Sequence, residues 1–340
     1  MNQEPADGST AATKSCLLQE REQAADMEET QFDDILDDWF IESLRTYKDL
    51  HEYHLEHPTQ VIEWTSGKTV CVAGYASSKN EILELRLPLK LFADENKGLC
   101  AERDFKVIYG GLADGPVRCL RHVPGTRCVV TNDGLSSDLQ VWDLGGDDSD
   151  VIRRTGSIEG RRRFSEGGSR IAARLSSQPQ VLHGARSSDV QLTQLISGQI
   201  LYKLGLQQEV GSVCGSMTTK TDSADPLSSL HFVSDAVFLT GCCNGKVYVA
   251  DTRTSAAPQI SPPPASSGES VLWWTDASAG PSGCRILRLS SSGQAVISDL
   301  RNLGGAMSLA RLDIQTRRCN LDDVRVSWAP VLDDCIAVSG

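Results

Sequence analysis

Short apolar runs, each closed by Gly, Asp, Asn, Ser or Pro, recur along the chain from about residue 60 to its end. "VIEWTSGKTVCVAGY" (61–75), "VRCLRHVPGTRCVVTNDG" (117–134), "LHFVSDAVFLTGCC" (230–243) and "VRVSWAPVLDDCIAVSG" (324–340) share one layout. Each is an apolar strand, a short polar turn and a second apolar strand. A third strand follows a second turn. In "GCCNGKVYVADTR" (241–253), Asn244-Gly245 tolerates positive φ at both central turn positions, and "KVYVA" leaves the turn extended. "SSSGQAVISDLR" (290–301) copies it: Ser292-Gly293 stands for Asn244-Gly245, Asp299 for Asp251 and Arg301 for Arg253. "SSDLQVWDL" (136–144) ends on Trp142-Asp143, and "SSDVQLTQL" (187–195) carries Gln194 where Asp143 stands. "SKNEILELRL" (78–87) is a weaker copy ending on Leu87. Positions 87, 143, 194, 251 and 299 are separated by 56, 51, 57 and 48 residues. With an outer strand added, the unit is a four-stranded sheet. Such a unit is too small to bury both its faces alone, so its neighbours must cover them.

The glycines and lysine of 241–253 also raise the question of a phosphate loop. That loop needs four residues between its glycines and a hydroxyl after the lysine. Gly241 and Gly245 enclose three, and Val247 follows Lys246. "TSGKT" (65–69) fails as well, because Ile62 occupies the first glycine position. The sequence contains no G-x-S-x-G elbow, no H-E-x-x-H and no dinucleotide fingerprint. "HEYHLEH" (51–57) holds three histidines, but read as a strand it turns His54 away from His51 and His57. The expectation is therefore no catalytic residue, no cofactor and no metal.

Composition narrows the partners. The 340 residues are 40% apolar, enough for a sizeable core, and carry a net charge of −12. An acidic surface repels phosphate backbones, which argues against direct nucleic-acid binding. No apolar run approaches the ~20 residues that span a bilayer, so no membrane contact is expected. The eleven cysteines include no C-x-x-C pair, which fits buried thiols in a reducing compartment. Residues 1–32 read as a disordered acidic and polar tail. Residues 33–50 contain "DDWFIESLRTYKDL", an amphipathic helix capped by Asp37 or Asp38, with Trp39 and Phe40 as candidate docking residues. Residues 51–340 hold the repeats, with inter-repeat loops expected at 153–170 and 254–270. The first loop is a basic island in which Arg161, Arg162 and Arg163 are candidates for docking an acidic partner or RNA. The second is proline-rich.

Trp142-Asp143 and the repeats around it resemble the WD40-repeat β-propeller family. Blocks such as "NEILELRLPLKL" (80–91), "NKGLCAERDFKV" (96–107), "VLHGAR" (181–186) and "VSWAP" (326–330) resemble one branch of it across residues 33–340. The resemblance implies an all-β fold: a propeller of about five complete, degenerate blades and a partial sixth, preceded by a short N-terminal helix. The repeat positions Trp142, Asp143, Asn244, Gly245, Asp251, Gly293 and Asp299 would be structural. His122, His183 and His231 sit in none of the Gly-His pairs common in such blades, so apolar packing is expected to dominate over buried polar networks. Ser339-Gly340 align ten positions before a strand-ending aspartate. The ring is therefore expected to be left unclosed by C-terminal truncation, with an association-prone last sheet. The resemblance implies a non-catalytic scaffold in the cytoplasm with a possible nuclear fraction. Its implied partners are spindle- and microtubule-associated proteins in cell division, and cleavage-module subunits of the Integrator RNA-processing endonuclease. A direct RNA-binding factor using 153–170 and a hydrolase using the propeller channel are the alternatives.

Overall fold

The structure is a computed structural model that describes residues 41, 53, 55, 59–74, 80–89, 104–146, 151–160, 168–204, 225–265, 271–280, 283–312, 324–329 and 335–339. By contacts the chain divides into two units: Met1–His54 with Pro88–Phe105, and Leu55–Leu87 with Lys106–Gly340. In the first, the Tyr53 and Phe105 rings pack with centroids 5.4 Å apart. The helix expected at 33–50 lies outside the described residues, apart from the helical Ile41.

The second unit is a succession of antiparallel meanders in which strand order follows chain order. The first sheet holds β1 (Thr59–Ser66), β2 (Thr69–Gly74), β3 (Asn80–Arg86) and β4 (Lys106–Ala113). The second holds β5 (Cys119–His122), β6 (Cys128–Asn132), β7 (Leu139–Asp143) and β8 (Arg153–Ile158). The third holds β9 (Arg170–Leu175), β10 (Pro179–Gly184), β11 (Gln191–Gln194) and β12 (Ile200–Lys203). The fourth holds β13 (Leu227–Phe232), β14 (Val237–Cys242), β15 (Val247–Asp251) and β16 (Gln259–Ser261). The fifth holds β17 (Trp273–Gly280), β18 (Gly283–Ser290), β19 (Gln294–Asp299) and β20 (Ser308–Arg311). The sixth is a hairpin of β21 (Arg325–Trp328) and β22 (Ile336–Ser339). Third strands end at Asp143, Gln194, Asp251 and Asp299, the marks read from the repeats, and in the first sheet at Arg86, one residue before the Leu87 mark.

Each core lies between two sheets, not within one. Ile82 and Cys71 of the first sheet pack with Leu120 and Trp142 of the second. Val130 and Leu139 of the second pack with Ile171 and Val181 of the third. Leu182 and Leu192 meet Phe238 and Tyr248 between the third and fourth. Leu239 meets Ile286 between the fourth and fifth, and Leu287 meets Trp328 between the fifth and sixth. The physical cause is strand periodicity: successive side chains point to opposite faces. Val129 and Val130, Val181 and Leu182, Phe238 and Leu239, and Ile286 and Leu287 are neighbours in sequence that serve two different cores. A strand buried on both faces reads as a continuous apolar run, which is why the middle strands stand out in the sequence. Among the described residues, no sheet covers the outer face of the first. Ile62 and Trp64, on the face of β1 opposite the Val61 core position, remain 61% and 63% exposed.

Two expectations are corrected. The segments 153–170 and 254–270 are not loops throughout, because β8 and β16 lie within them and form outer strands. Four of the first five residues of β8 are polar, all five are exposed, and the strand lacks the alternation that marks a covered one. The Asn244-Gly245 turn also differs in detail. Gly245 N donates to the Cys242 carbonyl at 2.9 Å, so Cys243 and Asn244 are the central residues. Gly245 follows them with φ +86, as Gly293 does with φ +82 after its own turn. This is the three-residue loop, a turn followed by a left-handed glycine. A side chain at Gly293 would place Cβ 2.0 Å from the Leu312 carbonyl oxygen.

Candidate functional site

The repeat positions fix strand ends and seams. Trp142 Nε1 donates to Thr131 Oγ1 at 2.9 Å inside the core between the first two sheets. The Asp143 carboxylate accepts from Gly145 N at 3.0 Å. Asp251 accepts from Arg253 N (2.9 Å), Nε (2.9 Å) and Nη2 (2.6 Å). Asp299 does the same with Arg301, at 2.7, 3.0 and 2.6 Å. These arginine hydrogen bonds hold both aspartates down at about 2. The two strand ends are therefore the same structure made twice.

Asn244 belongs to a polar cluster between the third and fourth sheets. Its Nδ2 donates to Asp225 Oδ1 at 2.8 Å, while Lys246 Nζ (3.2 Å) and Tyr248 Oη (3.3 Å) reach Oδ2. Burial first, and Asp225 next, push the Tyr248 phenol up to about 12. Asp225 N donates to Ser187 Oγ of the third sheet at 3.1 Å. Between the first two sheets, Glu84 is fully buried. Arg127 Nη1 and Nη2 donate to its two oxygens at 2.9 and 2.7 Å, and Thr65 Oγ1 adds a bond at 2.9 Å. Burial alone would raise the Glu84 pKa; the Arg127 and Thr65 bonds outweigh it and keep the carboxylate ionised. Between the fourth and fifth sheets, buried Arg288 donates to the Gly245 and Pro262 carbonyls and to Ser261 and Ser298. Burial lowers its pKa. Polar seams therefore accompany the apolar cores. One signal was readable: Glu84 lies two residues from buried Ile82, on the inward face of its strand.

His183 supplies a pH-sensitive element. It is 2% exposed, and burial pushes its imidazole down to about 4. Gln191 Nε2 donates to His183 Nε2 at 3.2 Å, so that nitrogen is unprotonated, and Thr193 Oγ1 lies 3.2 Å from it. The folded state binds this proton less readily than the unfolded chain. Stability is then full above pH ~6.5 and falls as pH drops towards 4, by about 3 kcal/mol at ~1.4 kcal/mol per unit. Urea midpoints from pH 7.5 to 4.5 should fall more steeply for the wild type than for His183→Gln; parallel curves contradict this assignment.

The first strands of all six sheets, β1, β5, β9, β13, β17 and β21, line one cavity of about 130 Å³. Contacts link these strands around it. Gln60 Oε1 accepts from Arg118 at 3.4 Å and Glu63 pairs with Arg121 at 2.7 Å, both 58 residues apart, so β1 and β5 run in parallel register. Arg170 Nε donates to the Leu227 carbonyl at 3.3 Å. His231 Nδ1 lies 3.3 Å from Asp276, and Asp276 accepts from Trp328 N at 2.6 Å. Arg325 Nη2 reaches the Gln60 carbonyl at 3.5 Å, joining the sixth sheet to the first. Sequence reasoning missed this assembly because its members are scattered over more than 260 positions.

Trp39, Phe40, Arg161, Arg162 and Arg163 lie outside the described residues, as do His51, His54 and His57. Among the described residues, no three His, Cys, Asp or Glu are grouped to hold a metal ion. Among the same residues, no helix is long and apolar enough to cross a membrane.

Antiparallel four-stranded meanders, packed face to face around a channel lined by their first strands, define a WD40-type β-propeller. The chain is 45% identical over 310 residues to a Danio rerio protein named Integrator complex assembly factor WDR73, covering 89% of this chain and 77% of that protein. It is 38% identical to the Homo sapiens protein of that name, with 89% and 77% covered, and 37% identical to the Xenopus laevis one, with 88% and 78% covered. No family model matches the chain. The chain belongs to the WDR73 family.

Proposed function

We propose that this chain is a non-catalytic scaffold that holds protein partners during assembly of the Integrator complex. One observation carries the reading: 37–45% identity, across almost nine-tenths of the chain, to proteins named as Integrator complex assembly factors. The geometry supports it. Interlocked sheets form a stiff body, and the turns at either end of the strands offer surfaces to several partners. The finer proposal is that the partners are cleavage-module subunits. A further proposal is a cytoplasmic location, with a spindle-associated pool in dividing cells and a nuclear fraction.

The test is proximity labelling followed by co-purification of the tagged chain, with and without RNase. Integrator subunits should be enriched, and RNase should not remove them. Their absence, with unchanged Integrator assembly after depletion of the protein, contradicts the reading; loss on RNase treatment points to RNA instead. Imaging the tagged chain through division tests the location.

A further inference from the structure

Among the described residues, the hairpin β21–β22 packs mainly from one side. Trp328, Val326 and Ile336 lie on Leu287, Leu289 and Ala295 of the fifth sheet. Towards the first sheet it reaches through Arg325, 3.5 Å from the Gln60 carbonyl. The last three residues of β22 are exposed. A sheet covered on one face opens locally before sheets held between two neighbours. One polar joint ties this hairpin into the channel. Asp276 of β17 accepts from Trp328 N through Oδ2 at 2.6 Å, and its Oδ1 lies 3.3 Å from Nδ1 of His231 on β13. Ala277 N also donates to Oδ1, at 2.8 Å. The other ring nitrogen, His231 Nε2, lies 3.4 Å from the Thr275 carbonyl. On the hairpin side, Val324, Arg325 and Val326 border the same cavity as His231. Among the described residues, the charges acting on the ring are Asp276 from β17 and Arg121 from β5. Arg121 is itself paired with Glu63 of β1 at 2.7 Å. Arg170 of β9, Arg325 of β21 and Arg118, just before β5, border the cavity as well.

We propose that this joint is a pH-sensitive latch: the hairpin β21–β22 opens from the fifth sheet more readily when His231 takes up a proton. In the closed form the His231 side chain is 26% exposed. Burial disfavours its imidazolium most; Asp276 pulls the other way, Arg121 opposes again and the Thr275 carbonyl favours the charge. The net effect lowers the His231 pKa. When the hairpin opens, Val324 and Val326 leave the cavity wall and water reaches the ring. Its pKa then returns towards ~6.5. The open form therefore binds the proton more tightly than the closed form. Opening is suppressed above pH ~6.5 and favoured as pH falls below it. Asp276 connects the two events, because the carboxylate that meets the imidazole is the one that receives Trp328 N. Opening bares Leu287 and Leu289, both fully buried in the closed form.

The test is amide hydrogen exchange of the full chain at pH 7.5 and 5.5, read as protection factors so that the intrinsic pH dependence of exchange cancels. At both pH values the amides of β21 and β22 should be less protected than those of β18 and β19, the mark of local opening. On acidification the protection of β21 and β22 should fall by up to about tenfold, the limit over this range for one group whose open-state pKa is ~6.5. His231→Gln keeps a donor for Asp276 without titrating, and should remove that fall. His183→Gln, in the seam between the third and fourth sheets, should leave it unchanged. If His231→Gln does not fold, the wild-type ring resonances of His231 decide: they should titrate with a midpoint below 6.5. The proposal is overturned if the hairpin's protection does not change with pH, if His231→Gln shows the same fall as the wild type, if the hairpin exchanges together with β18 and β19, or if His231 titrates at or above 6.5.

Discussion

Arg127→Ala should lower the unfolding free energy by about 2–4 kcal/mol, because buried Glu84 loses its ion-pair partner. The Arg127 side chain is 41% exposed, so water offsets part of the cost of a fully buried pair. The size follows from Glu84. That carboxylate is fully buried on β3 and receives two parallel bonds from Arg127, which also donates to the Leu144 and Gly145 carbonyls. With Arg127 gone, only the neutral Thr65 and Thr69 hydroxyls are shown on Glu84, and the choice is a buried charge or a proton taken up near neutral pH. The Arg127 guanidinium also lies 5.2 Å from the centre of the Tyr109 ring, so the variant loses a stacking contact of the first sheet as well. Urea denaturation at pH 7.5 measures the loss. The double variant Glu84→Leu, Arg127→Met should recover most of it, because an apolar pair needs no desolvation. A loss under about 1 kcal/mol for Arg127→Ala, the range of an exposed pair, contradicts the buried geometry.

Phe238→Ala should cost about 3–5 kcal/mol, the usual range for emptying a buried aromatic site. Phe238 is fully buried on β14 and sits edge-on to Tyr202 of β12, with ring centroids 5.7 Å apart. Its cluster draws Leu182 and Leu192 from the third sheet and Leu230 and Tyr248 from the fourth. The cavity opens at a boundary between two sheets, so both lose contacts. Phe238→Leu keeps much of the volume and should cost less than half as much. Equal losses for the two variants would mean that the ring, not the filled volume, is what matters.

The middle strands were legible because burial on both faces gives them runs such as "CVVTN" and "VFLTGC". The third strands were legible because Asp143, Asp251 and Asp299 mark their ends, two of them through the same arginine clasp. The outer strands were not. β8 and β16 show burial at one residue each, and a strand with little to bury has no hydrophobic signature. The turn at Gly245 was placed correctly but its form was not, because the same Gly serves a two- or three-residue loop. The seams escaped for a different reason. Glu84 and Arg127 are 43 residues apart, and nothing local to either names the other. The channel arginines are still more dispersed, and they come together only when all the first strands share one axis.

Hydrogen exchange on the wild type and Phe238→Ala most directly tests the claim that neighbouring sheets share their cores. The amides of β10 and β11 in the third sheet should lose protection together with those of β14 and β15, although the substitution lies in the fourth. Loss confined to Leu227–Ser261, with the third sheet unchanged, would show independently cored sheets and contradict the account.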